Sequence, residues 1–299
     1  MNIFVTGASG YIGGSVAMAL LASGHRVRGL TRSAASAERL AKIGIDPVLG
    51  TLDDAGVLSR AASAADGVVN AASADHVGAV RALIDGLQGS SKPLLHTSGS
   101  SVIGDDARGQ RRCDNIFDED APLVVDRSKQ ARRDLDLMVL GAAEHAIRSA
   151  VICPSLIYGA GRGLNPRSVQ IPFLAANARE KGVVQIVGHG LNVWSNVHID
   201  DVVDLYLLAL TQAPAGAFYF AENGEASFGD IAGAIAKRLG LAGIQALPPE
   251  VAAERWGESM AYFTLGSNSR VRARRARREL AWVPRHASLI EWILTEMPG

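Results

Sequence analysis

The sequence predicts an α/β fold class, in which a doubly wound parallel sheet is followed by a smaller C-terminal lobe. Over residues 1–160, six strand-like segments alternate with helix-like segments, which is typical of a parallel sheet covered by helices on both faces. The first apolar segment runs directly into a glycine-rich turn. The length of 299 residues also suits one large α/β unit with an appended lobe.

The turn after the first predicted strand, residues 2–5, has the glycine spacing of a dinucleotide-binding loop. Gly7 permits the tight turn, Gly10 lets backbone approach a phosphate, and Gly13 allows the next helix to pack closely on the strand. Free N–H groups at the start of that helix attract an anion. The sequence therefore predicts a Rossmann-type site for NAD(P), with contacts from Gly7, Ser9, Gly10, Tyr11, Ile12 and Gly13.

The end of the second predicted strand, residues 25–31, indicates which dinucleotide binds. NAD-preferring sites usually carry Asp or Glu about 20 residues beyond the glycines, where the carboxylate binds the ribose 2′-hydroxyl. Here Thr31 is followed by Arg32 and Ser33, and a guanidinium attracts the 2′-phosphate of NADP. The sequence therefore favours NADP(H) over NAD(H). The alternative is that Arg32 is only a solvated surface charge.

Later strand ends are predicted to border the rest of the cofactor. The segment 46–53 is expected to end beside the adenine, with Leu52 against the ring. The strand 66–72 ends in Ala71 and Ala72, whose small side chains let backbone approach the cofactor. The next strand, from residue 93, leads into hydroxyl-bearing residues at the cofactor and reaction site, which are Thr97, Ser98 and Ser100.

Composition and charge exclude several classes of protein. Apolar residues make up 48% of the chain and charged residues 20%, so disorder is not expected. Lys and Arg number 30 and balance 30 Asp and Glu, and the basic run 270–278 is predicted to cover the outer face of a helix. Neither nucleic acid nor a membrane is therefore an expected partner. The two cysteines, Cys113 and Cys153, form neither a metal-ligand cluster nor a disulfide framework.

These observations lead to further expectations about location and organisation. The cysteine usage, with no secretion signal or membrane span, predicts a cytoplasmic chain without a metal. A dinucleotide-binding domain is predicted over residues 1–160 and a mainly substrate-binding lobe over residues 161–299, with residues 195–222 returning to the first domain. Residues 121–126 are predicted to be irregular, and residues 128–144 to form one helix with Lys129 in its first turn.

Four motifs, in this order and spanning essentially the whole chain, resemble the extended short-chain dehydrogenase/reductase superfamily of NAD(P)-dependent epimerase/dehydratase type. They are Thr6-Gly-Ala-Ser-Gly-Tyr-Ile-Gly13, similar to TGxxGxxG; Cys153-Pro-Ser-Leu-Ile-Tyr-Gly159, similar to RPxxxYG; Val197-His-Ile-Asp-Asp201, similar to VHVDD; and Arg278-Glu-Leu-Ala-Trp-Val-Pro284, similar to ELGWxP. The resemblance implies that Pro154 and Ser155 border the nicotinamide and that Lys129 holds its ribose. It also implies a homodimer formed through the helices near residues 76–87 and 128–144.

The chain departs from this family pattern at the residues that carry its chemistry. The family uses a Tyr-x-x-x-Lys pair, in which the lysine lowers the pKa of the phenol so that it exchanges a proton near neutrality. Here Lys129 is present, but Val125 stands at the tyrosine position, as in an atypical subset that binds a dinucleotide without this tyrosine. The position of the hydroxyl partner is open between Ser98 and Gly99.

A further departure concerns the substrate. Trp194 stands where nucleotide-sugar enzymes carry an arginine that grips the diphosphate, which removes a charge-assisted contact and adds apolar area. The sequence therefore predicts an NADP(H)-dependent oxidoreductase acting on a small, uncharged and fairly apolar carbonyl or alcohol. The predicted catalytic residues are Ser98, Ser100 and Lys129, and the predicted substrate contacts are Tyr158 and Trp194.

Two other functions and the identity of the proton donor stay open from the sequence. The donor is a substrate group, an ordered water or a side chain such as Tyr158 or Asp126, and structural packing is the alternative role of Tyr158. The first other function is a non-catalytic NADP-binding sensor, which the valine at 125 favours. The second is a sugar-nucleotide epimerase or dehydratase, which would lack both the proton shuttle and the diphosphate grip.

Overall fold

The computed structural model describes residues 1–123 and 125–299. The six strands predicted within residues 1–160 are all present, whereas the six-residue strand Val193–His198 was not predicted. In chain order the strands are β1 (Asn2–Thr6), β2 (Arg26–Thr31), β3 (Asp46–Leu49), β4 (Gly67–Asn70), β5 (Pro93–Thr97), β6 (Phe117–Asp118), β7 (Arg148–Pro154), β8 (Leu156–Tyr158), β9 (Val184–Val187), β10 (Val193–His198), β11 (Ala217–Ala221), β12 (Glu225–Ser227), β13 (Ile244–Leu247) and β14 (Val271–Arg272).

Helices separate most of these strands. They are α1 (Tyr11–Ala22), α2 (Ala34–Lys42), α3 (Ala55–Ser63), α4 (Val77–Leu87), α5 (Gln130–Gly141), α6 (Gln170–Lys181), α7 (Ile199–Gln212), α8 (Phe228–Leu239), α9 (Pro249–Trp256), α10 (Arg274–Glu279) and α11 (Leu289–Thr295). No helix in the described ranges combines the length and the hydrophobicity that crossing a lipid bilayer would require.

The central sheet has seven strands in the order β3-β2-β1-β4-β5-β7-β11, and every neighbouring pair is parallel. The predicted Rossmann-type doubly wound α/β fold is therefore confirmed. The strand order reverses between β1 and β4, so the connections that leave these two strands cross opposite faces of the sheet. They leave a crevice at the carboxyl ends of the strands, which is where ligands of such sheets bind.

The strand β1 lies inside the sheet and is buried on both faces, which explains its continuous apolar sequence. Ile3 and Val5 pack in one core together with Val16 of α1, whereas Phe4 packs in a second core with Leu58 of α3. Alternate side chains of a strand point to opposite faces, so β1 holds both helical layers in place. Full burial of a side chain such as Phe4 contributes about 1.5–3 kcal/mol.

The C-terminal lobe has a core of its own. A three-stranded sheet, β12-β10-β8, and a two-stranded sheet, β13-β9, pack with α6, α8 and α11 around Leu174, Phe228 and Ile293. The strand β11 instead pairs with β7 in the central sheet, and α7 packs against α1. The domain boundaries at residues 160 and 161 stay a prediction, as does the homodimer.

The helix expected over residues 128–144 is shorter than predicted. A 3₁₀ turn at Arg127–Lys129 precedes α5, and another at Ala142–His145 follows it, so Lys129 lies before the α-helix. The chain then leaves the helical path at Ala146, which has a φ of 53°. Within the segment predicted to be irregular, residues 121–123, 125 and 126 form neither helix nor strand, and Val124 lies outside the described residues.

The sequence predicts that the basic run 270–278 covers the outer face of one helix, and the structure shows that this prediction is wrong. Only Arg274–Glu279 is helical, and Arg270 is buried, with its guanidinium 2.7 Å from Glu225. The other arginines of the run are also neutralised by nearby carboxylates: Arg272 by Glu225, Arg274 by Asp118, Arg275 and Arg278 by Asp120, and Arg277 by Glu222. These ion pairs join the arginines of the run to other segments of the same protein.

Candidate dinucleotide and substrate site

The glycine turn between β1 and α1 forms the floor of the crevice. Gly7 has a φ of 73°, and a Cβ there would lie 2.6 Å from the Ala71 carbonyl oxygen. A Cβ on Gly13 would lie 2.4 Å from the Gly7 carbonyl oxygen. A Cβ on Gly10 would meet only that same oxygen within 4 Å, at 3.1 Å. Gly7 and Gly13 therefore serve close packing, whereas Gly10 leaves open space above the turn.

The start of α1 fits a phosphate group. Gly10 is the N-cap residue, no side chain caps the helix, and its first turn contains no acidic residue. The first N–H groups of a helix lack partners inside the helix and carry partial positive charge. This bare N-terminus beside Gly10 therefore fits the pyrophosphate of a dinucleotide.

A cavity of about 760 Å³ extends from this turn across the carboxyl ends of β2, β3 and β4. Arg32 is exposed at its rim and makes no ion pair with any described residue, whereas the nearby Asp53 carboxylate lies 3.1 Å from His76 Nε2. Seven of the residues predicted to bind the cofactor line this cavity: Gly7, Ser9, Gly10, Arg32, Leu52, Ala71 and Ala72. The residues present therefore fit the adenosine and pyrophosphate parts of NAD(P).

A second cavity, of about 310 Å³, continues from Tyr11, the residue next to Gly10. None of the described residues that line it is charged, and Tyr11 alone among them has a titratable side chain. The predicted residues that line it are Tyr11, Ile12, Ser98, Ser100, Pro154, Ser155 and Trp194, and the others are Gly99, Ser101, Ile157, Val169, Gln170 and Thr264. The structure thus brings the predicted hydroxyls together with apolar side chains.

The Ser98 hydroxyl connects this cavity to a buried carboxyl group. Ser98 follows β5, and its Oγ donates a hydrogen bond of 2.9 Å to Asp136 Oδ2 on α5. Burial raises the pKa of Asp136 to about 6, although the hydrogen bond from Ser98 acts in the opposite direction. The other carboxyl oxygen of Asp136 has no hydrogen-bond partner. Ser98 therefore lines the cavity and also contacts the Asp136 carboxyl group, whose pKa is about 6.

Ser100 and Lys129 are already engaged within the protein. The hydroxyls of Ser100 and Ser269 lie 2.7 Å apart, and Ser269 Oγ donates to the Ser100 carbonyl oxygen, which leaves Ser100 to donate to Ser269. The Lys129 ammonium group lies 4.3 Å from the ring centroid of Phe263, in a cation–π contact. Burial, and then the charge of Arg132, lowers the pKa of Lys129. Of the predicted catalytic set, Ser98 and Ser100 line the second cavity, whereas Lys129 lines neither cavity.

The structure places four predicted site residues outside both cavities: Gly13, Thr97, Lys129 and Tyr158. The Thr97 hydroxyl lies 2.6 Å from the Tyr206 hydroxyl and is buried, so it does not reach the cofactor site. Tyr158, predicted to contact substrate, is 1% exposed and donates to the His286 carbonyl oxygen at 3.1 Å. Neighbouring residues of a strand point to opposite sides, so Ile157 faces the cavity and Tyr158 packs in the C-terminal core.

We expect Tyr158→Phe to lower the free energy of unfolding by about 0.5–1.5 kcal/mol, the net value of one hydrogen bond. The effect stays in this range because the His286 carbonyl keeps a second donor, Asn223 Nδ2, at 3.1 Å. Turnover is expected to be unchanged. Urea unfolding and steady-state kinetics check both statements. A variant that folds normally but loses activity would show that the Tyr158 phenol takes part in the reaction.

Charged residues on α5 were missed by the sequence analysis. Arg132 Nη1 donates to Ser101 Oγ at 2.8 Å, and its other guanidinium nitrogens bind Asp75 at 2.6 and 2.7 Å. Lys129, Arg132 and Asp136 follow one another at spacings of three and four residues, which places them on one side of a helix. That spacing, counted from the predicted lysine, is the signal that would have found them.

Three potential metal ligands also come together, although the sequence predicted no metal. One ligand atom from each of His198, Asp200 and His286 lies within 4.8 Å of the others. The Asp200 carboxylate pairs with Arg162 at 2.7 Å, and His198 Nδ1 accepts the Asp200 N–H at 3.2 Å. Asp200 and His198 already serve contacts within the protein, so we assign no metal to the group.

Comparisons with known proteins agree with this geometry. Oxidase ucsJ from Acremonium sp is 34% identical over 95% of this chain and 92% of its own length. A Stigmatella aurantiaca enzyme, 4-hydroxy-2-methyl-3-oxo-4-farnesyl-3,4-dihydroquinoline-1-oxide ketoreductase, is 27% identical over the same shares, 95% and 92%. In the fold, the chain resembles dTDP-glucose 4,6-dehydratase from Bacillus anthracis in complex with NAD, with a TM-score of 0.77 and 20% identity over 98% of this chain and 95% of that one.

Residues 3–219, more than half of the chain, match the model of the family described as NAD dependent epimerase/dehydratase. The predicted membership of that superfamily is thereby confirmed, while membership of its atypical subset stays a prediction. Taken with the glycine cradle and the relatives named as an oxidase and a ketoreductase, this match shows that the chain belongs to the NAD-dependent epimerase/dehydratase family and is an NAD(P)-dependent oxidoreductase.

Proposed function

We infer that the protein uses NADPH to reduce a small, uncharged and fairly apolar carbonyl compound, or catalyses the reverse oxidation of the alcohol. The observation that carries this proposal is the cavity of about 310 Å³ beside Ser98, whose described lining contains no charged side chain. Its apolar part consists of Ile12, Pro154, Ile157, Val169 and Trp194. The relative named as a ketoreductase supports carbonyl reduction.

The roles of the residues follow from their positions. The turn at Gly10 would hold the pyrophosphate at the N-terminus of α1, and Leu52, which lines the same cavity, would pack beside the adenine. When bound, the cofactor supplies or accepts the hydride. Ser98 Oγ then orients the substrate oxygen, and the apolar side chains around it exclude water. Lys129, half-buried before α5, stays our candidate for the nicotinamide ribose.

Arg32→Ala is expected to weaken NADPH binding by about 10- to 150-fold, equivalent to about 1.5–3 kcal/mol for a hydrogen bond to a charged group. NADH binding should barely change, because NADH has no 2′-phosphate. Arg39→Ala is the matched control, since Arg39 is an exposed arginine on the adjacent helix α2 that does not line the cavity. Titration of the native protein, Arg32→Ala and Arg39→Ala with NADPH and with NADH measures the effect. Equal affinities of the native protein for the two cofactors would contradict the proposed NADP preference.

The substrate proposal is tested by following NADPH oxidation with a panel of uncharged ketones and aldehydes of graded size. We expect turnover with the small, apolar members and neither binding nor turnover of UDP- or dTDP-sugars, because the described lining offers no cation to a diphosphate. Tight binding of a nucleotide sugar in calorimetry contradicts the proposal. Tight NADPH binding with no turnover across the panel would favour the sensor function instead.

A further inference from the structure

Reduction of a carbonyl group needs a proton at the substrate oxygen, and the chain has no tyrosine at position 125 to donate it. Tyr11, the titratable residue of the substrate cavity, is a poor donor. Its hydroxyl donates to the carbonyl oxygens of Gly159 and Tyr158, at 2.8 and 3.1 Å, and burial raises the pKa of its phenol. Asp126 is exposed and accepts the N–H of Ser128. Neither side chain is therefore suited to supply the proton.

A path from the cavity to a buried acid passes through Ser98. Ser98 is one of the residues that line the cavity, and its Oγ lies 2.9 Å from Asp136 Oδ2. Asp136 has no exposed surface, and Ser98 is 6% exposed. When Asp136 is ionised, Ser98 Oγ donates to Oδ2. When Asp136 is protonated on Oδ2, the carboxyl O–H donates to Ser98 Oγ instead, and the Ser98 O–H is free to donate to a ligand. Ser98 is therefore placed to pass a proton between the buried carboxyl group and a ligand.

The surroundings of Asp136 favour its neutral form. Asp136 Oδ1 has no hydrogen-bond partner, and a buried carboxylate oxygen without a donor is unfavourable. The nearest candidate, His96 Nε2, lies 3.9 Å away, which is too far for a hydrogen bond. Thr6 Oγ1 donates to Asn70 Oδ1, so Asn70 Nδ2 donates to His96 Nδ1 and the imidazole carries its proton on Nε2. The imidazole is neutral because burial lowers its pKa to about 4.

Charged and titratable groups face Asp136 from every neighbouring element. On α5 itself, Arg133 and Arg132 lower its pKa, and Asp75, in the segment after β4, raises it. His96 faces it from β5, and the Cys153 thiol, whose pKa is raised by burial, faces it from β7. Burial is the largest effect, and the resulting pKa of about 6 lets the group hold a proton in weakly acidic solution and release it near neutrality.

We propose that Asp136 supplies, through the Ser98 hydroxyl, the proton that the substrate oxygen receives during carbonyl reduction. This step rests on the reductase function inferred above. The Ser98 O–H bond breaks as an O–H bond forms on the substrate oxygen, and the Asp136 O–H bond breaks as its proton moves to Ser98 Oγ. The hydride of the reduced nicotinamide goes to the carbonyl carbon. Asp136 is left as a carboxylate and regains its proton through Ser98 once the product has left.

Asp136→Asn keeps the shape and a hydrogen bond to Ser98 but has no acidic proton. The matched control is Asp134→Asn on the same helix, whose carboxylate is exposed and bonds Gln130. Wild type and both variants are compared in the pH dependence of kcat with NADPH and an accepted ketone. NADPH affinity and the thermal transition, measured in parallel, show whether each variant folds and binds cofactor.

Wild-type reduction is expected to slow as pH rises through about 6, because only protonated Asp136 donates. Asp136→Asn should lose this pH dependence and about 10²- to 10⁴-fold in kcat, with NADPH affinity kept, and Asp134→Asn should behave as wild type. Ser98→Ala should lose a similar factor, and the double variant little more, because residues that act as one unit are not additive.

A readout without turnover is the infrared C=O stretch of a buried, protonated carboxyl group in the cofactor-free protein. We expect this band at low pH in the wild type and in Asp134→Asn, its loss as pH rises, and its absence in Asp136→Asn. An Asp136→Asn variant with the wild-type pH profile and kcat overturns the relay while leaving the reductase function intact, as does a band that is absent at every pH at which the wild type works. A wild type that reduces no carbonyl compound overturns the reductase function, and the relay with it.

Discussion

Replacing Gly10 by valine is expected to lower NADPH affinity by about 100-fold or more while the protein still unfolds in one cooperative transition. The branched side chain would stand over the bare N-terminus of α1, where the pyrophosphate has to approach backbone N–H groups. Losing two hydrogen bonds to a charged group, each about 1.5–3 kcal/mol, is enough for this factor. The fold should need only a small adjustment, because a Cβ at Gly10 meets a single atom within 4 Å, the Gly7 carbonyl oxygen at 3.1 Å, which must give by a few tenths of an ångström.

The matched control is Gly233→Val on α8, where an added Cβ meets nothing within 4 Å. Fluorescence or calorimetric titration with NADPH, together with thermal unfolding, compares both variants with the wild type. Full retention of binding in Gly10→Val would show that the phosphates lie elsewhere. An equal loss of binding in Gly233→Val would show that the effect is not local to the turn.

The second large effect is expected in stability. Asp201→Ala should lower the free energy of unfolding by about 2–5 kcal/mol, because it removes two hydrogen bonds to a buried carboxylate. Asp201 has no exposed surface, and its two oxygens accept the N–H groups of Arg285 and His286 at 2.9 and 3.0 Å. It therefore fastens the segment before α11 to the start of α7, and its loss leaves two backbone donors without partners.

Asp204→Ala, one turn later on the same helix, is the control for the second prediction. Its carboxylate also contacts Arg285, at 2.6 Å, but both side chains of this pair are exposed, so about 0–1 kcal/mol is expected. Urea unfolding of the two variants measures the difference. Equal losses would mean that the surface charge of α7, rather than the buried bonds of Asp201, stabilises the C-terminal segment.

Much of the cofactor half of the site was predictable because its determinants are neighbours in the chain. Gly7, Gly10 and Gly13 act through backbone geometry within a single turn, and a continuous apolar strand before them is visible in any sequence. Arg32 was found in the same way, by its distance from the glycines, and it does line the cofactor cavity. Thr97 was predicted to contact the cofactor, but its hydroxyl points to Tyr206, which is 109 residues away in the sequence. The residues near Thr97 in the sequence give no sign of this contact.

The sequence by itself determined the α/β class, the alternation of strands and helices over residues 1–160 and the place of the dinucleotide turn, since hydrophobic periodicity and glycine spacing are local properties. Tertiary structure alone decided which side chains meet at the substrate. Ser98 and Asp136 are 38 residues apart and meet because α5 packs against β7 and against the turn that follows β5. Tyr158 lies outside the substrate cavity because the register of the short strand β8 turns its neighbour Ile157 towards the cavity instead. The pKa of Asp136 is set by burial, which is a property of the packed protein and cannot be read from the residues next to Asp136 in the sequence.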